Sequence, residues 1–211
     1  MKVFLAALFL IFHLCFQAAG QSPTVLFKKA DPTVLSKEDE WKAVTSQQRW
    51  QIYRDKTFAS PGSYFRSFGG AIGEQMTNQP PSWGQGWDAY GQRVGQRFIT
   101  FTMQDSAEAA LSAAAGYDPR YLRCKCSGGG KRVAHAFKMN FFTVNREGRN
   151  VFDWPKFVGA YSVGMASTTW VRDYKWSAQG FQAGNSQLYF GVLFNVIREF
   201  SPEIRRGLRR K

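Results

Sequence analysis

The stretch GWDAYGQRVGQRF, residues 86–98, has the apolar spacing of an α-helix even though three of its thirteen residues are glycines. Its large apolar residues recur three or four positions apart, which is the periodicity of one helix face. Each glycine in a helix interior costs about 1 kcal/mol relative to alanine, so the glycines need a compensating role. The apolar side is formed by Trp87, Tyr90, Val94, Phe98 and Phe101, and the polar side is predicted to carry Gln92, Arg93, Gln96 and Arg97.

Pairs of small residues four positions apart recur in four of the predicted helices. Such pairs let two helix backbones approach closely in membrane proteins and in tightly packed soluble bundles. We therefore expect close helix packing at these positions, and homo-oligomerisation through the same glycine faces as a second use of them. The pairs are Gly69 with Gly73, Gly91 with Gly95, Ala160 with Gly164, and Gly180 with Gly184.

Helix-start and helix-stop signals flank the opening stretch on both sides. Thr45 with Gln48 has the spacing of a capping box, and Ser60 before Pro61 indicates a second helix start. The alanine-rich run 106–116 predicts a separate helix that ends at its terminal glycine.

Two regions nearer the C-terminus are also expected to be helical. One helix begins at Asp153, and another runs from near residue 177 to Phe200, after which the motif SPE at 201–203 starts a short basic helix. Residues 131–152 fit either a helix followed by a polar loop, which we favour, or a β-hairpin. The sequence therefore predicts an all-α fold, a compact bundle of about six to seven close-packed, glycine-notched helices.

The first 20 residues, MKVFLAALFLIFHLCFQAAG, have the layout of a cleaved secretory signal peptide. One lysine precedes a short apolar run, and small residues occupy the positions that a signal peptidase reads. Residues 21–36 contain two prolines and no helical period, so we expect a flexible N-terminal arm. Residues 37–211 are then expected to form a single helical domain, exported to the periplasm or associated with the outer membrane.

The chain is strongly basic, with 28 Lys and Arg residues against 15 Asp and Glu residues and a formal net charge of +13. In an exported protein this excess favours an anionic lipid or envelope polymer, rather than nucleic acid, as the partner. The basic side chains are densest at the C-terminus, where the predicted contacts to the anionic surface are Arg205, Arg206, Arg209, Arg210 and Lys211.

Cys124 and Cys126 are the two cysteines that follow the predicted signal peptide. Because one residue separates them, a labile disulfide and a pair of free thiols are both open interpretations. As a metal site the pair would need two further ligands, and the sequence does not indicate where these would come from.

Sequence motifs typical of catalysis are missing. The chain contains no G-x-S-x-G, no H-E-x-x-H and no phosphate-binding glycine loop. We therefore predict no catalytic residue, no cofactor and no metal. An enzyme that uses Asp118 or His135 in a cleft is kept as an alternative.

Three motifs, YGQRVGQRF at 90–98, DPRYLR at 118–123 and NVIREFSPEI at 195–204, together resemble a family of exported bacterial envelope proteins of acidobacterial type. The resemblance covers residues 45–206. It implies a helical envelope protein associated with the outer membrane. The family brings no known activity, so the resemblance implies no site residues.

These features together favour a non-enzymatic envelope role, either peripheral membrane association or structural binding to an anionic polymer. A small outer-membrane β-barrel or pore-like protein is one alternative. A cell-envelope enzyme of unknown reaction is the other.

Overall fold

The computed structural model describes residues 34–35 and 42–209, with the backbone alone at 34–35, 205 and 207–209. The predicted signal peptide, most of the predicted N-terminal arm and residues 37–41 lie outside the described residues. The structure is about 73% helix and 5% strand, so the prediction of a mainly helical fold is confirmed.

The secondary structure elements alternate long helices with short connecting turns and strands. The helices are α1 Ser46–Arg54, α2 Pro61–Met76, α3 Trp87–Ala115, α4 Gly129–Lys138, α5 Trp154–Ser167 and α6 Phe181–Arg209. Single π-helical turns precede α2 and α6, at Asp55–Ala59 and Trp176–Gly180, and 3₁₀ turns lie at Pro81–Trp83 and Thr168–Trp170. The strands are β1 Val34–Leu35, β2 Tyr121–Leu122, β3 Phe142–Val144 and β4 Asn150–Phe152; β1 pairs with β2 in parallel, and β3 pairs with β4 antiparallel.

Five helices, α2 to α6, pack together. The long helix α3 lies between α2 and α5, while α6 packs against both α5 and α4, and the short helix α1 lies along α3. The larger number of six to seven close-packed helices is not confirmed.

Several helix ends lie where the sequence predicts them, because each depends on residues close together in the chain. The Gln48 amide donates to Thr45 Oγ1 at 3.3 Å and the Thr45 amide donates to Gln48 Oε1 at 2.9 Å, which completes the capping box of α1. Ser60 caps α2 by accepting from the Gly62 amide. Gly116 ends α3 in the left-handed conformation, with φ of 72°.

The prediction of a separate helix at residues 106–116 is wrong, because α3 runs without a break from Trp87 to Ala115. The Asp105 carboxylate pairs with Arg66 of α2. The Ser106 hydroxyl donates to the Thr102 carbonyl one turn back, at 2.7 Å, which is compatible with an uninterrupted helix.

The predicted restart at residues 201–203 is also wrong, since α6 passes through Pro202. Proline has no amide hydrogen, so the carbonyl of Arg198, four residues earlier, loses its helical donor. Two side chains replace that donor: Ser201 Oγ donates to the Arg198 carbonyl at 2.9 Å, and Arg123 Nη2 donates to it at 3.3 Å. The helix continues because this carbonyl has other partners.

The ambiguous segment 131–152 contains both of the structures that the sequence allowed. Helix α4 ends at Lys138, and strands β3 and β4 then form a hairpin where we favoured a polar loop. Its turn is closed by hydrogen bonds between Asn145 and the backbone of residues 148 and 149, and Gly148 has φ of 75°.

Candidate functional site

The distribution of polar and apolar side chains is partly inverted relative to an ordinary soluble domain. The largest fully buried side chains include those of Arg93, Gln104, Asp105, Asn140 and Glu199. By contrast, 22 large apolar residues of the described chain are exposed. Buried charges are rare unless they are paired, and extended exposed apolar surface marks an interaction site.

Helix α3 departs from its predicted faces at Arg93 and Trp87, whereas Gln92 is exposed and Phe101 is buried, as predicted. Arg93 was placed on the predicted polar side, yet it is fully buried, whereas Trp87 of the predicted apolar side is 88% exposed. The Arg93 guanidinium donates to Gln75 Oε1 at 2.5 Å and to the carbonyls of Gln79 and Gly84 at 2.6 and 2.9 Å. Arg93 is therefore buried because it binds the backbone of the turn between α2 and α3.

A cleft of about 1180 Å³ opens between α1, α2, α3 and α6. Its inner wall contains a buried network in which Arg66 and Asp105 form an ion pair and Gln187 contacts both. Gln187 Oε1 accepts from Arg66 Nη1 at 3.0 Å, and Gln187 Nε2 donates to Asp105 Oδ1 at 2.8 Å. The network joins α2, α3 and α6.

The Asp105 carboxyl has a strongly shifted pKa. Burial by itself would raise that pKa, but the charges of Arg66 and Lys56 outweigh burial and lower it from 3.8 to about 2. Asp105 is therefore held as an anion at neutral pH.

Lys56 connects this network to the open part of the cleft, since its side chain is 31% exposed. Its Nζ lies 3.3 Å from Glu108 Oε1 and 3.7 Å from Asp105 Oδ1. Burial tends to lower the pKa of Lys56, but the two carboxylates outweigh burial and raise it, so Lys56 stays protonated.

Asp153 and Lys156, at the start of α5, supply a second ion pair on the cleft wall, with Lys156 Nζ 3.3 Å from Asp153 Oδ2. Burial raises the pKa of Asp153 in spite of this cation. Among the described residues, Asp153 Oδ1 and Arg66 Nε have no hydrogen-bond partner. Two buried polar atoms of the cleft wall are thus left with unused hydrogen-bonding capacity.

Charges of both signs line the cleft in nearly equal numbers. The DPRYLR motif contributes Asp118 and Arg120, with Arg120 Nη2 2.6 Å from Asp118 Oδ2. The cationic lining residues are Arg49, Lys56, Arg66, Arg120, Lys156 and Arg198, and the acidic ones are Asp55, Asp105, Glu108, Asp118 and Asp153. Of the two residues considered for an enzyme, Asp118 lines the cleft and His135 does not; His135 Nε2 lies 2.8 Å from the Leu122 carbonyl oxygen.

The mouth of the cleft is apolar. Phe65 of α2 and Leu193 and Ile197 of α6 line the cleft and are also exposed to solvent. The cleft therefore has a polar, charged interior and an apolar, solvent-exposed edge.

The predicted glycine contacts divide into two groups. At Gly164 an added Cβ would lie 2.6 Å from the Gly180 carbonyl oxygen, at Gly180 it would lie 2.9 Å from Met165 Cα, and at Gly184 it would overlap the Tyr161 ring. Ala160 is buried on the same helix as Gly164. These residues allow α5 to approach α6 and the turn before it.

The other four glycines face open space. A Cβ added at any of them would meet no described atom within 4 Å, so the predicted packing role is not found there in a single chain. These residues are Gly69, Gly73, Gly91 and Gly95.

A second buried polar cluster surrounds Glu199 of α6. Its carboxylate accepts from the Tyr121 hydroxyl at 2.7 Å and from the Cys124 amide at 3.2 Å, and Arg132 Nε donates to it at 3.3 Å. Cys124 and Cys126 are joined by a disulfide, with their Cα atoms 5.2 Å apart. The cysteine pair is thus attached to the bundle through the Glu199 carboxylate.

The basic C-terminal group is described only in part. Arg206 is exposed, whereas the side chains of Arg205 and Arg209, together with Arg210 and Lys211, lie outside the described residues.

Sequence reasoning missed the residues that form the cleft network, because they come from helices far apart in the chain. One signal was available. On α6 the polar residues Gln187, Asn195 and Glu199 are separated by multiples of four positions, and all three are buried. A polar stripe on a helix whose other faces are apolar indicates a polar interior.

Within residues 42–209 no helix is long and apolar enough to cross a membrane. The described part of the chain also holds no group of three or more His, Cys, Asp or Glu side chains placed to bind a metal ion. Comparison with protein-family models, with curated proteins and with solved structures finds no match to the chain.

Proposed function

We propose that the protein binds the surface of an anionic lipid bilayer through an apolar face formed by α2 and α6. The observation that supports this proposal is the distribution of side chains, with charged and amide side chains buried and large apolar side chains exposed. In this proposal the chain is exported, acts at the cell envelope and has a non-enzymatic role.

The α2–α6 apolar face consists of two stripes at helical spacing. The members on α2 are Phe65, Phe68, Ile72 and Met76, and those on α6 are Tyr189, Leu193, Ile197 and Ile204. Within each stripe the residues lie three, four or seven positions apart, so they share one side of their helix. Exposure reaches 81% at Met76 and 71% at Tyr189.

Aromatic contacts connect the α2 stripe to helix α6. The Phe65 ring lies 6.4 Å from the Phe190 ring in an edge-to-face arrangement, and Phe190 stacks on Phe194 at 6.1 Å. A Cβ added at Gly62 of α2 would lie 2.9 Å from the Phe194 ring, so the two helices are in close contact here. Phe65 of the α2 stripe therefore contacts α6, and members of both stripes line the cleft between the helices.

Charge favours an anionic lipid as the occupant of this surface. The α6 stripe leads directly into the basic residues 205–211, and the whole chain has a formal net charge of +13. An amphipathic helix with an apolar stripe and a basic end lies in the interface of anionic membranes, where each Lys or Arg contributes about 1 kcal/mol.

Co-sedimentation with lipid vesicles tests the proposal. We expect the protein to sediment with vesicles that contain anionic lipid, and to do so less as salt concentration rises. Removing residues 205–211 should weaken binding and reduce its salt dependence. The double substitution Phe68→Ser with Ile72→Ser should weaken binding by roughly tenfold or more, because two apolar side chains no longer enter the bilayer.

A matched control lies on α4, where Val133 and Phe137 are also exposed and four positions apart. Val133→Ser with Phe137→Ser should leave vesicle binding unchanged. The proposal is rejected if the wild-type chain does not sediment with anionic vesicles, or if the two double variants lose binding equally.

A further inference from the structure

We propose that the cleft between α1, α2, α3 and α6 binds a single-chain amphiphile with a zwitterionic head group, its head in the charged interior and its chain at the apolar mouth. This inference rests partly on the proposed function, since docking of the apolar face would bring the cleft mouth to the lipid.

The gradient of polarity along the cleft matches an amphiphile. Arg66, Asp105 and Gln187 are buried on the inner wall, whereas Phe65 and Leu193 at the mouth are both exposed. A ligand that is polar throughout would leave the apolar mouth uncovered, and one that is apolar throughout would remove water from the partly exposed charges of Lys56 and Glu108. A molecule with one polar end and one apolar end satisfies both regions.

The near balance of charges selects a zwitterionic head. A purely anionic head would approach the carboxylates of Glu108 and Asp153 as well as the cation of Lys56, all of which line the cleft. A purely cationic head would in the same way meet Lys56 and Lys156. A head with an ammonium and a phosphate group can place each charge beside its opposite.

Two charged side chains of the wall are accessible to such a ligand. Lys56, whose side chain is 31% exposed, can donate a hydrogen bond to a phosphate oxygen, and Glu108, whose side chain is 15% exposed, can accept one from an ammonium group. These groups recognise the head, while the mouth accommodates the chain.

The volume of the cleft is sufficient for this occupant. At about 1180 Å³ it lies slightly above the range of roughly 300–1,000 Å³ that is typical of small-molecule pockets. A head group alone would fill only part of that space, so we expect the first part of the acyl chain to be enclosed as well.

Calorimetric titration with monomeric ligands tests the inference without a membrane. The probe is a short-chain lysophosphoethanolamine, used at concentrations below its critical micelle concentration. Three comparison ligands are phosphoethanolamine without a chain, a fatty acid of the same chain length and an alkylammonium of the same chain length. We expect the zwitterionic amphiphile to bind at least tenfold more tightly than each comparison ligand.

Variants locate the binding in the cleft. Ala109→Trp places a large ring among the lining residues and should abolish binding, and Glu108→Gln removes one charge and should weaken it by roughly tenfold. Glu147→Gln is the control, because Glu147 is exposed in the β3–β4 turn and does not line the cleft. Thermal unfolding of each variant shows whether it is folded. If a variant is not folded, the comparison of the four ligands on the wild-type chain tests the inference by itself.

The possible failures are distinguishable. Equal binding of the fatty acid and the zwitterion, no binding of the zwitterion, or unchanged binding by folded Ala109→Trp would overturn the cleft inference, whatever the vesicle result. If the wild-type chain does not bind vesicles but binds the monomeric zwitterion tightly, the proposed membrane function is rejected and the cleft inference is supported.

Discussion

Arg66 of α2 and Asp105 of α3 form a buried ion pair, with Arg66 Nη1 3.3 Å from Asp105 Oδ1 and both side chains almost inaccessible to solvent. Gln187 of α6 contacts both members, so one polar network joins three helices. The bundle is therefore held together at this point by charge pairing and hydrogen bonds, while the large apolar residues Phe65, Phe68, Ile72 and Met76 of α2 are exposed.

Breaking the Arg66–Asp105 pair should destabilise the protein strongly. Asp105→Asn leaves the Arg66 charge buried without its carboxylate, which costs about 3–5 kcal/mol of unfolding free energy in comparable pairs. Chemical denaturation measures the loss. Asp55→Asn is the control, because the Arg54–Asp55 pair is exposed and should contribute about 0–1 kcal/mol. Equal losses from the two substitutions would contradict the role of burial.

The same carboxylate predicts a dependence of stability on acid. The pKa of Asp105 is lowered from 3.8 to about 2 in the folded chain, so the unfolded chain takes up a proton first as pH falls. The ionised Asp105 carboxylate contributes its full stabilisation, about 2 kcal/mol, above about pH 4. This contribution is lost as pH falls from about 4 to about 2. Plots of unfolding free energy against pH should differ in slope between wild type and Asp105→Asn across this interval and should run parallel above pH 5. Parallel curves throughout would show that Asp105 does not titrate as described.

Two glycine-to-alanine substitutions should have opposite effects. At Gly164 the new Cβ would lie 2.6 Å from the Gly180 carbonyl oxygen, so Gly164→Ala should destabilise by about 1–3 kcal/mol. At Gly91 an added Cβ would meet no described atom beyond its own helix backbone within 4 Å, so Gly91→Ala should stabilise by about 0.5–1 kcal/mol through helix propensity. Melting temperatures of the two variants compare them directly. Destabilisation by Gly91→Ala would mean that its face is covered, and a concentration-dependent melt would then identify a second copy of the chain.

Arg93 should be essential for the turn between α2 and α3. Arg93→Met keeps the volume of the side chain but removes the donors to the carbonyls of Gln79 and Gly84, at a cost of about 1–3 kcal/mol for the groups left unpaired. Gln92→Met, the exposed neighbour, should change stability by less than about 0.5 kcal/mol. Native-state hydrogen exchange should show faster exchange in residues 77–86 of Arg93→Met alone. Uniform protection of this turn in both variants would refute the assignment.

Predictions from sequence succeeded where the relevant contacts are local. The caps at Thr45, Ser60 and Gly116 were recognised because each involves residues within a few positions of the helix end. They failed where a distant side chain changes the outcome. At Pro202 the helix continues although the Arg198 carbonyl loses its helical donor, because that carbonyl accepts from Arg123, which is 79 positions from Pro202 in the chain.

The candidate cleft was not predictable for the same reason. Lys56, Asp105 and Gln187 lie on three segments of the chain, and no spacing in the sequence indicates that they meet. Taken alone, each reads as a charged or polar residue on a solvent-exposed helix face.

The sequence by itself determined that the chain is mainly helical and where several of its helices begin and end, because propensity, periodicity and capping act over a few residues. Only the tertiary structure decided which side of each helix is buried. Periodicity shows that a helix has two different faces, but burial depends on whether partners exist for the groups on each face. Arg93 and Glu199 are buried because other elements supply their hydrogen-bond partners, while Phe65 and Met76 are exposed on a helix whose buried side carries Ser63, Arg66, Ser67 and Ala71.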